Sequence, residues 1–546
     1  MVLIPKTKNL SELIFICCLF LFSYWLMWHT FDYKDSNILV ATKAWSDFGA
    51  NIPLIRSFSK GNNFPPEYPL FPGEPIRYHF LFYLLVGMIE KMGTPISWAL
   101  NVPSVLGFWG LIVGIYFLTK LVFKSRTVSF LAVIFFLFNG SFSFLEFFKI
   151  HPLSLQTISE IISNTTFPSF GPYDGKIVSA FWNLNIYTNQ RHLAIGYLII
   201  VLFLFVLLKS MKKTQPISLF QTLFWGIILG LTPIFHKVVF FAAYIILFFL
   251  FLSFSKLRKT IVKILIISTI LAIPQIIYYG SGSTGNFSFR TGYLVPPPLT
   301  TINFFLYWFK NLGLSFFLIP LGFVVSDKNA QKILLAIFPL FIIGNLFQFS
   351  PEIAANHKFF NLFLIFGNMY SAYFIILLWQ KNLLGKLITP FLIFFMVLSG
   401  IIDLFPIKND FMLTISDAPN NQDVEWILKN TPPDSIFLNS SYLYHPASLA
   451  GRKIFIGWPY FTWGIGYDAD KRGRIFRQIY ESKNKTQTCF LLRQNHINYF
   501  TVENTNNDIN LPNIDVNYFK QNFDASYSNP QRLFLIYNVE LNCQYE

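Results

Sequence analysis

Long apolar runs, separated by short polar connections, fill the first three quarters of the chain. A helix needs about 20 mainly apolar residues to cross a bilayer, because its rise of roughly 1.5 Å per residue must span a hydrocarbon core of about 30 Å. Runs of this kind lie near residues 12–29, 99–120, 128–148, 192–209, 218–234, 238–254, 261–279, 301–325, 332–349, 359–380 and 386–405. The pattern predicts a mainly α, polytopic helical membrane protein with about 11 spans.

The apolar run at 79–92 is too short to be counted as a span, and basic residues flank it at Arg77 and Lys91. We interpret it as a helix that lies in the membrane interface. When 79–92 is not counted as a span, every second connection between the predicted spans is short and basic. They hold 16 of the 29 Lys and Arg residues of the region 1–405, namely Lys6, Lys8, Lys120, Lys124, Arg126, Lys209, Lys212, Lys213, Lys256, Arg258, Lys259, Lys263, Lys328, Lys332, Lys381 and Lys386.

These basic connections predict the orientation of the chain, because short loops rich in lysine and arginine face the cytoplasm. The amino terminus is then cytoplasmic. The long connections 30–98, 149–191 and 280–300 lie outside a plasma membrane, together with everything after residue 405. The first apolar run has no small-residue cleavage site, so we interpret it as an uncleaved helix.

Residues 406–546 lose the long apolar runs and show short alternating patterns bounded by turn residues. The predicted elements are helices at 423–429 and 474–480 and strands at 435–438, 453–456 and 532–537. This alternation is typical of a small α/β domain. The sequence therefore predicts a transmembrane domain over 1–405 and an extracytoplasmic soluble domain over 406–546.

Composition excludes several classes of protein. The chain is 53% hydrophobic and 13% charged, against about 25% charged residues in a soluble domain, and disordered chains lack such apolar content. Residues 406–546 hold 13 basic and 14 acidic residues, and residues 1–405 hold 29 and 13, so the net charge of +15 divides into −1 and +16. Nucleic acid is not an expected partner, because the solvated region carries none of the basic excess.

Four cysteines fall in two settings. Cys17 and Cys18 lie in the first apolar run, where we interpret them as packing residues. Cys489 and Cys543 lie in the predicted outer domain. An oxidising compartment permits a disulfide between them, and the sequence leaves the pairing open.

The first outer loop contains an amphipathic pattern. Apolar residues recur there at helical spacing, at Phe48, Ile52, Ile55 and Phe58. The pattern predicts a helix that Asp47 caps and Gly61 terminates. A proline-containing turn from Pro69 to Pro75 then leads to the interfacial helix.

This order of features resembles the first outer loop of the GT-C glycosyltransferases, membrane enzymes that take a sugar from a polyprenyl-phosphate carrier on the outer face. In that family an acidic residue soon after span one precedes an amphipathic helix, a glycine, and a proline-containing turn into a second interfacial helix. Asp47, Gly61, the turn at 69–75 and the helix at 78–92 match those positions. The resemblance implies a GT-C fold and a polyprenyl-phosphate sugar lipid as partner.

Sugar transfer from a lipid phosphate needs a base for the acceptor and cations for the departing phosphate. Asp47 is the first candidate base, and helix capping is its alternative role. Asp32 and Asp35, just beyond the first span, are the next catalytic candidates. They could equally be solvated residues at the membrane boundary.

Basic residues at predicted outer boundaries are the candidates for binding the substrate. They are the pairs Arg191 and His192, His236 and Lys237, and His357 and Lys358, with Arg77 and His79 as a fourth pair. A lipid phosphate at this depth is best bound by charge-assisted donors. The alternative is that these side chains snorkel towards ordinary headgroups.

Aromatic and glycine residues alternate over 457–464 in the outer domain, and Asp468 and Asp470 follow. Aromatic faces that stack on sugars would suit an acceptor-binding loop, and core and turn residues explain the same pattern. Two carboxylates at this spacing are compatible with a divalent metal but do not define a metal site. The sequence identifies no certain cofactor and leaves the acceptor unknown.

Two hypotheses follow. The first is an inverting membrane glycosyltransferase of the cell envelope that acts on the outer face of the plasma membrane. The second is a non-enzymatic transporter or flippase of lipid-linked or polysaccharide substrates, with the outer domain as a partner-binding module. A transporter usually has polar or broken spans, whereas most polar residues here lie outside the apolar runs, which favours the transferase.

Overall fold

The computed structural model describes residues 10–169, 177, 179–211, 217–280, 287–504 and 510–544. The chain forms two compact units. The first comprises Met1–Thr30, Asn101–Gln275 and Phe287–Phe411, and the second comprises Phe31–Leu100, Ile276–Asn286 and Met412–Glu546. Four residues of the predicted basic connections, Lys6, Lys8, Lys212 and Lys213, lie outside the described residues.

The first unit is mainly helical. In the described ranges, seven helices are long and apolar enough to cross a membrane: Leu10–Thr30, Ile96–Phe123, Arg191–Met211, Ser255–Tyr278, Lys328–Leu346, Ile353–Lys381 and Leu383–Lys408. Thr301–Leu312 and Ser315–Val325 form a pair bent by 85°, which makes an eighth if it is one span. The chain is therefore a multi-pass membrane protein.

Shorter elements complete the first unit. Apolar helices of intermediate length cover Arg126–Leu137, Leu219–Gly230 and Lys237–Ser253. Other short helices cover Ser143–Ile150, Thr157–Ile162, Ser179–Trp182, Asn185–Asn189 and Thr232–Phe235, and Ser288–Phe289 pairs with Phe347–Gln348. The three apolar helices occupy the remaining predicted runs but are shorter than the about 20 residues that a span needs, so the count of eleven is still a prediction.

A seam of glycines fixes how two of the long helices pack. A Cβ atom at Gly107 would lie 2.2 Å from Ile195, one at Gly110 would lie 2.8 Å from Leu198, and one at Gly114 would lie 3.0 Å from Val201. Small residues let helix backbones approach closely in a membrane. The seam therefore lets the helix Arg191–Met211 pack closely against the helix Ile96–Phe123.

The first helix corrects one expectation from the sequence. Cys17 and Cys18 are both exposed on its surface, whereas we expected them to pack inside. Leu19, Leu26 and Met27 are the buried apolar residues of this helix. The two thiols lie outside the face of this helix that carries the buried residues.

The second unit contains a three-stranded antiparallel sheet. The strands Phe31–Lys34 and Asn37–Ala41 form a hairpin, and Met412–Ser416 pairs with the second of them. This compact unit therefore begins earlier in the chain than the soluble domain predicted at 406–546, because a strand of the first outer loop pairs with a strand more than 370 positions later.

Two helices follow the hairpin. The loop helix, as we call Trp45–Ser59, buries Phe48, Ile52, Ile55 and Phe58 as its pattern predicts. The short strands Glu67–Tyr68 and Phe71–Pro75 pair and lead to the helix Leu81–Lys91. The predicted run at 79–92 is thus a helix of 11 residues, too short to cross a bilayer.

The rest of the second unit has the α/β character that the sequence predicts. A five-stranded mixed sheet has the order Tyr527–Asn529, Phe534–Asn538, Tyr499–Val502, Ile436–Leu438 and Lys453–Ile454, and its last three strands run parallel. Its helices are Gln422–Asn430, Pro446–Leu449, Pro459–Gly464, Ala469–Glu481, Lys485–Gln494, Val516–Asn522 and Val539–Asn542.

A disulfide closes this sheet region. Cys489 and Cys543 are bonded, with Cα atoms 5.5 Å apart and 54 positions between them in the chain. Both residues are buried in the core of the second unit. The structure thus resolves the pairing that the sequence left open, and structural disulfides of this kind persist in oxidising compartments.

His445 is buried in the second unit as a neutral imidazole. The backbone N–H of Ala447 donates a hydrogen bond to its Nδ1 atom at 3.2 Å, and its Nε2 atom lies 3.0 Å from the Thr501 hydroxyl. Burial, assisted by the positive charge of Arg532, lowers the pKa of His445 from 6.5 to about 3. The folded side chain therefore stays unprotonated well below the pH at which an unfolded histidine gains a proton.

We expect this histidine to make the second unit less stable as the pH falls below 6.5, because only the unfolded state then binds the proton. Its contribution to the free energy of unfolding should drop by about 2 kcal/mol between pH 7 and pH 5. Hydrogen exchange of the strand Tyr499–Val502 in the full-length protein measures this slope. The variant His445→Gln should lack it, and an unchanged slope in that variant would contradict the assignment.

Candidate functional site

Asp47 lies at the start of the loop helix but does not cap it. The helix begins at Trp45, Ala44 is the N-cap, and Ala44 makes no side-chain cap hydrogen bond. The expected capping by Asp47 is therefore wrong, because the helix starts three residues earlier than its apolar pattern indicates. As the third helical residue, a half-buried carboxylate still interacts favourably with the helix dipole.

Four tyrosine hydroxyls interact electrostatically with the carboxylate of Asp47. We call these residues the tyrosine cluster: Tyr68, Tyr78, Tyr83 and Tyr444. Burial raises the pKa of each hydroxyl, and the negative charge of Asp47 raises it further. These hydroxyls therefore remain protonated and can donate hydrogen bonds. The Tyr444 hydroxyl donates to the backbone carbonyl of Trp45, which ties the cluster to the first turn of the loop helix.

A buried ion network holds the loop helix in place. The guanidinium of Arg56 lies 2.7 Å from a carboxylate oxygen of Asp417 and 3.0 Å from one of Glu90. Lys60 approaches Asp417 to 3.6 Å, and the Ser59 hydroxyl donates to Glu90 at 2.6 Å. Burial raises the pKa of Glu90, whereas Arg56 opposes that shift.

The glycine predicted at the end of the loop helix has a steric function. A Cβ atom at Gly61 would lie 2.2 Å from the carbonyl oxygen of Gly451, and one at Gly451 would lie 2.8 Å from the backbone nitrogen of Gly61. Gly451 also has a φ of +78°, which favours glycine. Two glycines thus allow two backbone segments to cross where the helix ends.

The two other candidate carboxylates lie in the hairpin. Asp32 is half-buried in the strand Phe31–Lys34 and accepts a hydrogen bond from the Tyr33 backbone N–H at 2.8 Å. Asp35 is exposed in the two-residue turn, where it and Ser36 have φ values of 50° and 56°. Such a turn favours aspartate for its backbone conformation, so Asp35 has a structural explanation.

Arg77 and His79 lie before the helix Leu81–Lys91. Arg77 is buried, pairs with Glu74 at 2.6 Å, and donates to the carbonyl of Gly466. Its guanidinium also lies 4.5 Å from the ring centroid of Tyr467. His79 is half-buried and stacks on Tyr78 with ring centroids 4.0 Å apart, next to the tyrosine cluster.

Basic residues from the three predicted pairs converge in the first unit, although up to 166 positions separate them in the chain. We call His192, His236, His357 and Lys358 the histidine cluster. The rings of His192 and His236 lie 5.2 Å apart, and His236 interacts electrostatically with the other three members. The three histidines are buried and Lys358 is half-buried, so the cluster forms a compact cationic or hydrogen-bonding group.

The members of the histidine cluster lie at or just before the first residues of three helices. His192 is the second residue of its helix, His236 directly precedes the helix Lys237–Ser253, and His357 begins a third helix. The Nδ1 atom of His357 lies 3.1 Å from the amide nitrogen of Asn361, and its ring stacks on Phe181. Lys237 is half-buried directly after His236.

Arg191 binds neighbouring protein groups. It donates to Asn101 at 2.7 Å, to the Thr30 hydroxyl at 2.9 Å and to the backbone carbonyl of Met27 at 3.0 Å. It is 2% exposed. This buried side chain therefore joins the start of its own helix to two other helices and fixes the adjacent His192.

A cavity of about 730 Å³ opens beside the start of the loop helix in the second unit. Trp45, Tyr442 and Trp458 supply aromatic walls, and Asp470 and Arg474 supply charge. The aromatic stretch at 457–464 thus contributes Trp458 to the cavity. Asp468 instead caps a helix by accepting a hydrogen bond from the Lys471 backbone N–H.

Sequence reasoning missed two groups of residues. The tyrosine cluster was missed because no local pattern brings Tyr444 to Tyr68, Tyr78 and Tyr83, which lie at least 361 positions earlier. Asp403, near the end of the last long helix, is buried, and the amide of Asn183 donates to it at 3.1 Å. An aspartate inside an apolar run was a signal that could have found it.

Comparison with known proteins supports the fold. No protein-family model and no curated protein matches the sequence. The structure resembles the archaeal oligosaccharyltransferase AglB from Archaeoglobus fulgidus in complex with an inhibitory peptide and a dolichol-phosphate, with a TM-score of 0.53 and 13% identity over 98% of this chain and 75% of that one. The apo form of the same Archaeoglobus fulgidus enzyme gives a TM-score of 0.54 and 13% identity over 97% of this chain and 75% of that one.

A third structure of the same enzyme, tethered with an acceptor peptide containing the NVT sequon, gives a TM-score of 0.50 and 13% identity over 97% of this chain and 74% of that one. At such low identity the likeness establishes the fold alone. That fold is GT-C, as the features of the first outer loop indicated.

Proposed function

We propose that this chain, which has the GT-C fold, is an integral membrane glycosyltransferase that transfers a sugar from a polyprenyl-phosphate-linked donor to an acceptor on the outer face of the membrane. The observation that carries the proposal is the histidine cluster. Residues from three basic pairs, far apart in sequence, meet in one group, and such a group suits a phosphate. The dolichol-phosphate of the similar archaeal enzyme belongs to the same chemical class as the proposed donor.

Asp47 is the proposed general base. It lies in the first turn of the loop helix, where neighbouring elements and a buried ion network fix the backbone. The hydroxyls of the tyrosine cluster give a polar wall around the carboxylate. Asp32 and Asp35 are the second-ranked carboxylates.

The histidine cluster is the proposed binding group for the donor phosphate, together with Lys237. Arg191 acts as a positioning residue for His192, because protein groups engage its guanidinium. Arg77 and His79 are proposed to contribute to substrate binding beside the tyrosine cluster. A bound divalent metal is compatible with this chemistry, but no step below depends on one.

The proposed reaction inverts the sugar in one displacement. Asp47 accepts the proton of the acceptor nucleophile, whose electron pair forms a bond to the anomeric carbon. The bond between that carbon and the phosphate oxygen breaks, and its electron pair stays on the phosphate, which the ammonium groups of Lys237 and Lys358 and the N–H groups of the histidine cluster stabilise. The cavity beside Trp45 is the proposed acceptor site, and a peptide is the first acceptor to test because the similar enzyme binds one.

We also propose the topology that the basic connections predict. The amino terminus is cytoplasmic, the second unit lies outside the plasma membrane, and eleven apolar segments span or enter the bilayer. The disulfide supports the outer position of the second unit, since cytoplasmic proteins keep their thiols reduced. The division at residue 405 then separates the membrane part from most of the soluble part.

The decisive experiment uses the purified full-length protein in lipid nanodiscs with a series of labelled polyprenyl-phosphate sugars and oligosaccharides. Peptides and envelope glycans serve as acceptors. We expect label to move to an acceptor, with the anomeric configuration inverted by NMR. If label stays on the lipid with every acceptor, while liposomes containing the protein move the donor across the bilayer, the protein is a transporter and the proposal is wrong.

Lys358 provides a test of the donor site. The variant Lys358→Met should raise the KM for the donor by about tenfold, because a charged hydrogen-bond donor to phosphate contributes roughly 1.5–3 kcal/mol. The KM for the acceptor should change little. Lys310→Met, which removes an exposed lysine at the end of another helix, is the matched control. Equal donor KM values in both variants would remove Lys358 from the site.

A further inference from the structure

The first unit contains a cavity whose lining includes none of the residues of the histidine cluster. It measures about 330 Å³ and lies where several helices end. Lys124 follows the helix Ile96–Phe123, Lys256 follows Lys237–Ser253, and Lys332 lies in the first turns of Lys328–Ile337. We call these three residues and the space between them the lysine pocket. All three belong to the basic connections that predict the cytoplasmic face.

The lysine pocket carries net positive charge. Among the described residues, no acidic side chain pairs with Lys124, Lys256 or Lys332 within 4.0 Å. The one carboxylate in its lining, Asp327, accepts hydrogen bonds at 2.9 Å from the backbone N–H groups of Asn329 and Ala330. That carboxylate caps a helix and offsets at most one of the three ammonium charges, so the lining keeps a net positive charge.

The backbone conformation of Lys124 is a second feature of the lysine pocket. Its φ is +55°, in the left-handed region that usually requires glycine after a helix. A lysine in that conformation is strained relative to glycine. This conformation ends the helix Ile96–Phe123 and places a lysine at the edge of the cavity.

The walls of the pocket are apolar below the lysines. Leu121, Met211 and Phe254 belong to the lining, and the Lys332 ammonium lies 5.5 Å from the ring centroid of Phe254. A soluble anion needs only the charged rim, whereas a lipid phosphate also brings acyl chains that fit apolar walls. Basic pockets between membrane helices are suited to anionic headgroups.

We propose that the lysine pocket binds the phosphate of an anionic phospholipid headgroup. This inference is independent of sugar transfer, because it concerns another cavity and other residues. In the proposed lipid site the three ammonium groups surround the phosphate, and the acyl chains lie along the apolar wall. The chemistry selects phosphatidylglycerol-type or cardiolipin-type lipids over phosphatidylcholine, whose headgroup has no net charge.

The test measures lipid retention by native mass spectrometry on the full-length protein, after exchange from mixed phosphatidylglycerol and phosphatidylcholine micelles. The variant Lys124→Gln/Lys256→Gln/Lys332→Gln should bind phosphatidylglycerol about tenfold or more weakly, since each lysine attracts the anionic headgroup. The control Lys263→Gln/Lys381→Gln/Lys386→Gln removes three exposed lysines outside the pocket. It should bind like the unaltered protein.

Two outcomes would overturn the proposal. If both triple variants lose phosphatidylglycerol equally, the lipid responds to the general surface charge and not to the pocket. Inorganic phosphate and a soluble glycerophosphate are tested as competitors of phosphatidylglycerol in the unaltered protein. If both displace the lipid equally well, and lipids with short and long acyl chains bind alike, the ligand is a free anion. Melting curves in phosphatidylcholine check that both variants fold, so a loss of binding can be assigned to the pocket.

Discussion

Replacing Asp47 with asparagine is expected to lower the rate of sugar transfer by at least about a hundredfold, which is the lower end of the contribution of a positioned general base. Asparagine keeps the size and the helix position of the side chain but cannot accept the proton of the acceptor. The measurement is the initial rate at saturating donor, with the KM for the donor determined in parallel. The change should fall on kcat, because Asp47 does not bind the phosphate.

Three further variants make the result specific. Asp434→Asn removes an exposed carboxylate of the second unit and should keep full activity. Asp32→Asn and Asp35→Asn examine the second-ranked carboxylates. A rate within threefold of the unaltered protein for Asp47→Asn, at normal thermal stability, would exclude it as the base, and loss of activity in one of the hairpin variants would identify the replacement.

Replacing Arg56 with methionine is expected to destabilise the second unit by about 3–5 kcal/mol, because it leaves the carboxylates of Glu90 and Asp417 buried beside each other with only Lys60 to compensate. Arg56 is 1% exposed and its two ion-pair distances are 3.0 and 2.7 Å. The measurement is thermal unfolding of the full-length protein, combined with hydrogen exchange of the loop helix.

The control for Arg56 is Lys429→Met, which breaks an exposed ion pair with Glu425 and should change stability by less than about 1 kcal/mol. Arg56→Lys should recover part of the lost stability, since it restores the charge without the two-sided geometry. If Arg56→Met unfolds like the control, the buried network does not hold the loop helix.

The loop helix shows which parts of the fold could be predicted. Its apolar positions recur with the helical period, so its buried face followed from local sequence, and so did the glycine at its end. Its first residue did not follow, because Ala44 gives no capping signal. The bend after Leu312 was also missed, since the apolar run continues through it. A glycine is needed at position 313 because a Cβ atom there would lie 2.0 Å from the carbonyl oxygen of Gly140, in a distant part of the chain.

The candidate site shows the same limit. The sequence singled out His192, His236 and His357 one pair at a time, because each lies at the edge of an apolar run. Their meeting in one cluster depends on helix packing, including the glycine seam at Gly107 and Gly110, which no local pattern encodes. One partner of Arg56, Asp417, is 361 positions away, and periodicity cannot predict such a pairing.

The pairing of the strand Asn37–Ala41 with Met412–Ser416 has a consequence for how the protein is made. At a synthesis rate of about 5–20 residues per second, roughly 370 residues and 20–75 seconds separate the two strands on the ribosome. The first outer loop therefore emerges long before its sheet can be completed. A nascent chain truncated before residue 412 would lack both that third strand and the carboxylate of Asp417, so synthesis of residues 412–417, and not insertion of the first spans, sets the earliest moment at which Asp47 can be held in its final position.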